Sequence, residues 1–259
     1  MVLGRKTNCV LRVDRLRKTF GGVQALDDVT FELAPAAITA LVGPNGAGKT
    51  TVFNVITNFL RPDGGQVYLN GANITGFSPH AAAALGLGRT FQDVRIFAQM
   101  TALENLMVAA PRQSGEDLFV ALSLPWRVYR QERELRAQAV RWLEFIRLTE
   151  LADEMAENLS YGQQKLLSIA RVLSLGANVL LLDEPMSGLD PQILTRSVDL
   201  LRDLSREQGK TICLIEHNID IVKELADRIV FLDHGRVLAD GAPDAIFADK
   251  QLSSLYFGT

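Results

Sequence analysis

Cysteine is scarce in this chain of 259 residues, with only Cys9 and Cys213 present. They lie far apart and show no metal-ligand spacing, so neither a disulfide framework nor a zinc module is encoded, and free thiols in a reducing compartment are expected. Long apolar runs are missing: none approaches the ~20 residues that a membrane span needs. The first stretch, Met1 to Arg12, has no apolar h-region, which argues against export. A basic excess is missing too. Lys and Arg total 27 against 30 Asp and Glu, giving a net charge of −3. They are scattered rather than gathered into a stripe, so nucleic acid is not an expected partner. No internal repeat or low-complexity segment is present. What the chain does have is 47% hydrophobic residues, enough to bury a full core in one large domain or a core plus a subdomain. A soluble intracellular protein is the expectation.

The pattern along the chain changes twice. Leu11 to Leu16 and Val29 to Leu33 read as short strands joined through Gly21-Gly22, Ile38 to Val42 as a buried strand, and Gln66 to Leu69 as a strand closed by the Asn70-Gly71 turn. Between the last two, Val52 to Leu60 reads as a helix, ended by the breaker Arg61-Pro62-Asp63-Gly64-Gly65. From about Thr101 to Leu175 the apolar spacing is helical (Leu103, Leu106, Met107, then Leu135, Ala139, Trp142, Leu143, Ile146), which predicts a helical subdomain. Its least regular part, Pro111 to Arg130, reads as a loop with short helices and a candidate docking surface. Alternation then returns: strand Val179 to Leu182, helix Gln192 to Gln208, strand Thr211 to Ile215, helix Ile219 to Ala226, strand Ile229 to Leu232, and a hairpin through Asp233-His234-Gly235 into Arg236 to Ala239. Such alternation predicts an α/β fold with a mostly parallel sheet.

Gly43 to Thr51 reads Gly-Pro-Asn-Gly-Ala-Gly-Lys-Thr-Thr, between a strand and a helix. That is the context of a Walker A phosphate loop. Gly43, Gly46 and Gly48 let successive backbone N–H groups converge on phosphate oxygens, and the helix behind them adds a partial positive charge. Lys49 supplies a mobile charge for the β- and γ-phosphates, and the Thr50 hydroxyl suits Mg²⁺. An ordinary glycine-rich turn is the plain alternative. Val179-Leu180-Leu181-Leu182-Asp183-Glu184 is a buried-type strand ending in two carboxylates. At the carboxyl end of a parallel strand Asp183 would hold Mg²⁺ and Glu184 would polarise a water as general base; a solvated acidic loop is the plain alternative. Leu159-Ser160-Tyr161-Gly162-Gln163-Gln164 opens a helix running to about Leu173, and Ser160-x-x-Gln163 is in itself a ready capping box.

Together these motifs resemble those of the ATP-binding-cassette (ABC) ATPases, and the resemblance spans nearly the whole chain. The signature of that family is usually Leu-Ser-Gly-Gly-Gln. Phe20, in Lys-Thr-Phe-Gly-Gly, matches the aromatic that stacks on adenine. Gln92, in Arg89-Thr90-Phe91-Gln92, matches the Q-loop glutamine. Ser187-Gly188-Leu189-Asp190 matches the D-loop, and His217, in Ile215-Glu216-His217-Asn218, matches the switch histidine that contacts the γ-phosphate. Singly, Phe20 reads as core, Asp190-Pro191 as a helix start and His217 as structural.

The resemblance implies an ABC ATPase fold over 8–259: a RecA-like, mostly parallel core, an antiparallel β subdomain, and a helical subdomain at about 93–175. It implies ATP and Mg²⁺ as ligands. Phe20, Gly43, Pro44, Asn45, Gly46, Ala47, Gly48, Lys49, Thr50 and Thr51 would hold nucleotide, as would Ser160, Gly162, Gln163 and Asp190. Thr50, Gln92 and Asp183 would serve the metal, and Glu184, His217 and Gln92 the hydrolysis. The chain departs from the family pattern at Tyr161, in place of the first signature glycine, and at Gly188, in place of the commoner alanine of the D-loop. Tyr161 must point away if Ser160 and the Gly162 N–H are to grip ATP held by an opposite subunit.

Several details resemble one branch, the ATPase subunits of branched-chain (hydrophobic) amino-acid importers: Val52-Phe53-Asn54 after the phosphate loop, Arg-Thr-Phe-Gln, Ser-Tyr-Gly-Gln-Gln, Leu-Ile-Glu-His-Asn, the insertion at 111–130 and the end near Tyr256-Phe257-Gly258. Urea, amide and lipopolysaccharide-transport ATPases share some of these. The implied partners are a second ATPase subunit, identical or not, two membrane permeases and a substrate-binding protein outside the membrane. The chain would sit peripherally on the cytoplasmic face. ABC ATPases of DNA repair carry a long coiled coil between the Walker motifs, and ribosome-associated ones carry two cassettes; neither feature is present. A purely regulatory module would be expected to lose Glu184 or His217, and both are kept.

Overall fold

The computed structural model describes residues 9–111, 113 and 123–249. They fall into two compact units. The first unit comprises the chain up to Arg89, then Asn178–Pro185 and the chain from Leu201 onward; the second comprises Thr90–Ala177 and Met186–Leu200.

Two sheets build the first unit. β1 (Leu11–Phe20) and β2 (Val23–Leu33) form an antiparallel hairpin, with β4 (Gly64–Leu69) on the other side of β1 and the two-residue β5 (Ala72–Asn73) at its edge. The hairpin is longer than its apolar pattern suggests. Its turn is Gly21-Gly22, both at positive φ, a torsion that matches the twist of the flanking strands. Register shifts interrupt the pairing, and Arg15 (φ 50°) and Asp28 (φ 61°) turn left-handed there. These irregularities, with the charged residues around them, hide the period-2 signal.

The second sheet runs β10-β9-β3-β8-β7-β6. Here β3 is Ile38–Val42, β6 Leu87–Arg89, β7 Val179–Asp183, β8 Thr211–Ile215 and β9 Arg228–Asp233, all parallel, and β10 (Arg236–Gly241) returns antiparallel beside β9. Every residue of β3, β7 and β8 is buried, as expected of parallel strands covered on both faces. α1 (Lys49–Ile56) starts three residues before the sequence pattern suggests and ends earlier, and it buries Val52, Phe53, Val55 and Ile56. At about 1.5–3 kcal/mol per apolar side chain, those four anchor a helix too short to persist alone. α2 (Pro79–Ala84), which the sequence pattern misses, is capped by Ser78, whose Oγ accepts from the Ala81 N–H.

The second unit is helical. α3 (Ala102–Ala109) begins with a capping box between Thr101 and Glu104, and α4 (Pro125–Phe145) and α5 (Tyr161–Ser174) pack with it. Leu103, Leu106, Ala139, Leu143, Leu166, Ile169 and Leu173 are all buried. The fully buried Asn105 stitches the approach to α3: its Nδ2 donates to the carbonyls of Phe97, Met100 and Thr101, and its Oδ1 accepts from the Phe97 N–H. Of the loop and docking surface expected over 111–130, residues 112 and 114–122 lie outside the described residues. Pro125 to Arg130 are helical rather than loop, because Pro125 occupies the first position of α4, where its missing N–H costs nothing. α6 (Pro191–Arg206) begins in this unit and continues into the first. α7 (Ile219–Leu225) and α8 (Pro243–Ala248) complete the first unit. Among the described residues, no helix is long and apolar enough to cross a membrane.

Candidate functional site

The phosphate loop joins β3 to α1, and its glycines answer to distant parts of the chain. A Cβ on Gly43 (φ 148°) would stand 1.9 Å from the Leu232 carbonyl oxygen, and one on Gly48 (φ 103°) 2.7 Å from that of Ala25. Torsion and space both exclude a side chain at these two positions. The Ala47 N–H donates to the Pro44 carbonyl at 3.2 Å, and the Ala47 carbonyl accepts from the Gly235 N–H at 3.0 Å. The loop is thereby tied to the β9–β10 turn. Behind it the first N–H groups of α1 have no intrahelical acceptor, and Gly48 brings no side-chain cap. Oriented amides and the positive end of the helix dipole make this concavity an anion cradle.

Lys49 lies buried within the cradle, its ammonium donating to the carbonyls of Gly43 at 2.7 Å and Pro44 at 3.0 Å. Burial lowers its pKa, while the charges of Glu184 and Asp183 oppose that shift. Asp183, the last residue of β7, is only 4% exposed. Burial pushes its carboxyl above the ordinary value; Arg89 holds it down by charge and hydrogen bond, Glu184 raises it, and Lys49 lowers it. The Arg89 guanidinium reaches Asp183 Oδ2 at 3.2 Å and Asn54 Oδ1 at 2.6 Å. The sequence reading missed this buried pair. Its one local signal was an arginine closing the short run Leu87-Gly88, directly before Thr90-Phe91-Gln92.

Glu184 turns left-handed (φ 48°), an uncommon conformation for a residue with a side chain. Its N–H still donates to the Ile215 carbonyl at 3.0 Å, and its Oε1 comes 3.2 Å from Nε2 of His217. β7 and β8 are parallel neighbours, with Asp183 in register with Ile215. Their carboxyl ends therefore deliver Asp183, Glu184 and His217 to one edge, where a parallel sheet offers its ligand site. Asp183 and the exposed Thr50 hydroxyl are hard oxygen donors of the kind Mg²⁺ prefers. Among the described residues no group of three or more His, Cys, Asp or Glu is arranged to hold a metal ion. Asn45 and Gly46 are exposed at the loop's crest, with Pro44 and Thr51 half-buried. Phe20, at the end of β1, is 47% exposed, with the Lys18 ammonium 5.6 Å from its ring centroid.

The remaining sequence candidates belong to the second unit. Gln92 is exposed in the irregular stretch after β6. Ser160 is the N-cap of α5, and the capping box is formed: Ser160 Oγ accepts from the Gln163 N–H at 3.3 Å, and Gln163 Oε1 accepts from the Ser160 N–H at 2.8 Å. Gly162 is buried directly behind. Asp190 caps α6, its Oδ1 accepting from the N–H groups of Gln192 at 3.1 Å and Ile193 at 3.0 Å. Both plain helix-start readings therefore hold as geometry, and they fix the side chains at two helix N-termini.

Residues 26–187 match the family described as ABC transporter. Over 249 residues the chain is 40% identical to the high-affinity branched-chain amino acid transport ATP-binding protein BraF of Pseudomonas aeruginosa, covering 96% of this chain and 98% of BraF. Its fold is similar to that of a nucleotide-free ATP-binding cassette from an ABC transporter, with a TM-score of 0.82, 32% identity, and coverage of 97% of this chain and 100% of that one. It is also similar to a dimeric, post-hydrolysis ATP-binding cassette bound to ADP and Pi, with a TM-score of 0.74, 26% identity, and coverage of 90% and 98%.

Proposed function

This chain belongs to the ABC transporter family, and from that premise we propose that it is the ATP-hydrolysing subunit of a membrane importer for branched-chain amino acids. One observation carries the hydrolytic reading: the carboxylate of Glu184 beside the imidazole of His217 at 3.2 Å, on the same sheet edge as the anion cradle. The identity to BraF supports the substrate class.

In this reading 8–259 is one ABC ATPase domain with its helical subdomain at about 93–175. The cradle N–H groups and Lys49 bind the β- and γ-phosphates, Phe20 stacks on adenine, and Thr50 and Asp183 would hold Mg²⁺, which would neutralise phosphate charge. Glu184 accepts a proton from a water as the water oxygen bonds to the γ-phosphorus and the bond to the β–γ bridging oxygen breaks. His217 orients that carboxylate and donates to a γ-phosphate oxygen, where charge grows. Ser160, the Gly162 N–H, Gln163 and Asp190 act across a head-to-tail dimer on the nucleotide of a second subunit; the dimeric cassette with ADP and Pi supports this arrangement. Two permeases and an external binding protein complete the importer, with this chain peripheral on the cytoplasmic face. A ligand outside can reach this ATPase only through contacts that shift a shared conformational equilibrium.

The test is ATP turnover in proteoliposomes holding the native permeases, with leucine, urea or nothing on the binding protein. Leucine should raise turnover, and Gln92→Ala should weaken that response more than it weakens ATP binding. Stimulation by urea alone overturns the substrate class and leaves the importer reading intact.

A further inference from the structure

Tyr161 and Gly188 both depart from the residues common in the family, and each rests on the other. A Cβ on Gly188 would stand 3.3 Å from Cε1 and 3.8 Å from Cδ1 of Tyr161. One residue further the roles reverse: a Cβ on Gly162 would meet Ile193 at 2.8 Å and Leu189 at 3.4 Å. Each side thus contributes one glycine and receives one bulky neighbour. Lys165, one turn along α5 from Tyr161, adds a latch. Its ammonium lies 5.1 Å from the centroid of the Tyr161 ring and donates to the Ser187 carbonyl at 2.5 Å. Lys165 is only 5% exposed, so its charge is held against an aromatic face and a carbonyl dipole rather than left to water. Tyr161 itself is 49% exposed; core filling does not account for its place.

We propose that Tyr161 is a positioning residue that, with Lys165, locks the turn at Ser187–Asp190 onto the start of α5, so that Ser160 and Asp190 are presented as one rigid piece. The two departures then meet in space, a ring at 161 facing a position without a methyl at 188. The role assigned to this rigid piece rests on the reading of Ser160 as a contact to the nucleotide of a second subunit.

A double-mutant cycle in the full chain tests the lock, with Tyr161→Gly, Gly188→Ala and their combination. Tyr161→Phe and Lys165→Met accompany it, and Ser160→Arg serves as control. The readouts are kcat and KM for ATP, affinity of the isolated chain for a fluorescent ATP analogue, and Tm. Gly188 sits at φ 73°, so alanine there is strained with or without Tyr161, and that strain cancels in the cycle. Tyr161→Phe should keep wild-type kcat. Tyr161→Gly, Gly188→Ala and Lys165→Met should lower kcat without changing analogue affinity. The combination should be at least about twofold more active than the product of the two single effects, the low end for side chains in contact. Simple multiplicativity, or kcat losses that only mirror the loss of folded protein, overturns the proposal. With Ser160→Arg inactive, such a result sinks the lock alone; an active Ser160→Arg sinks the contact across the dimer, and the lock's role with it.

Discussion

Replacing Arg89 by Met should make the stability of this protein depend more steeply on pH than that of the wild type. The side chains of Arg89 and Asp183 are 5% and 3% exposed and 3.2 Å apart. Taking one partner from a buried ion pair costs about 3–5 kcal/mol when the other stays charged. Asp183 has an escape, which is to bind a proton. Burial already raises its pKa above the ordinary 3.8, and Arg89 is the main influence holding it down. Without Arg89 the folded-state pKa climbs further, so the folded chain keeps a proton that the unfolded chain releases. A group with a raised folded pKa favours the fold fully below its unfolded pKa, and that contribution is lost as pH rises through the folded one. The deficit of Arg89→Met should therefore be smallest near pH 5 and approach about 3–5 kcal/mol at pH 8. At about 2–4 °C per kcal/mol for a chain of this size, Tm at pH 8 should fall by roughly 6–20 °C. The guanidinium also donates to Asn54 Oδ1 at 2.6 Å and Thr57 Oγ1 at 3.4 Å, and losing those bonds adds an offset that does not vary with pH. Thermal melts by circular dichroism from pH 5 to 8 measure the effect, and Arg89→Met/Asp183→Asn, with no carboxyl to titrate, should flatten the curve. A deficit equal at pH 5 and pH 8, or below about 1 kcal/mol at pH 8, refutes the reasoning.

Glu184→Gln should bind ATP and lose turnover, because an amide can hydrogen-bond the water but cannot take its proton; size-exclusion chromatography should show an ATP-bound dimer, and wild-type turnover removes Glu184 from the base role. Lys49→Ala should fail earlier, at nucleotide affinity, and retained affinity by equilibrium dialysis would contradict the cradle assignment. Burial pushes the Cys213 thiol far upward, so a maleimide at pH 7.5 should modify the half-buried Cys9 alone until denaturant is added. Rapid labelling of both thiols in the native protein goes against the packing of β8.

The parts of the site that were legible in the sequence are those whose requirements are local. Gly43, Gly46, Gly48, Lys49 and Thr50 declare a phosphate loop because their chemistry follows from spacing. Asp183-Glu184 declares itself because four apolar residues fix the strand that ends in it. Legibility failed where tertiary partners decide. β6, three residues around Gly88, is a strand only because Leu87–Arg89 pairs with Val179–Leu181. The three-residue run alone shows neither that pairing nor that Arg89 is buried against Asp183. β1 and β2 were half-read, since Arg15, Arg17, Asp27 and Asp28 interrupt the alternation where the strands bulge. α4 reaches back to Pro125, because a proline at the first position starts a helix where the apolar spacing alone shows none.

The central strand β3 has a consequence for how the protein is born. Its neighbours are β8 and β9, with Ile38 opposite Ile212 and Thr39 opposite Arg228, and the wall behind Gly43 is the carbonyl of Leu232. Protein synthesis runs at about 5–20 residues per second, so a nascent chain holds the whole phosphate-loop sequence for roughly ten to forty seconds before the strands that shape it exist. Ribosome-bound chains halted before Thr211 are expected to retain no ATP. The slow, long-range closure of β3 between β8 and β9 thus acts as a clock, and the translating cell does not meet a working nucleotide site until the sheet is nearly finished.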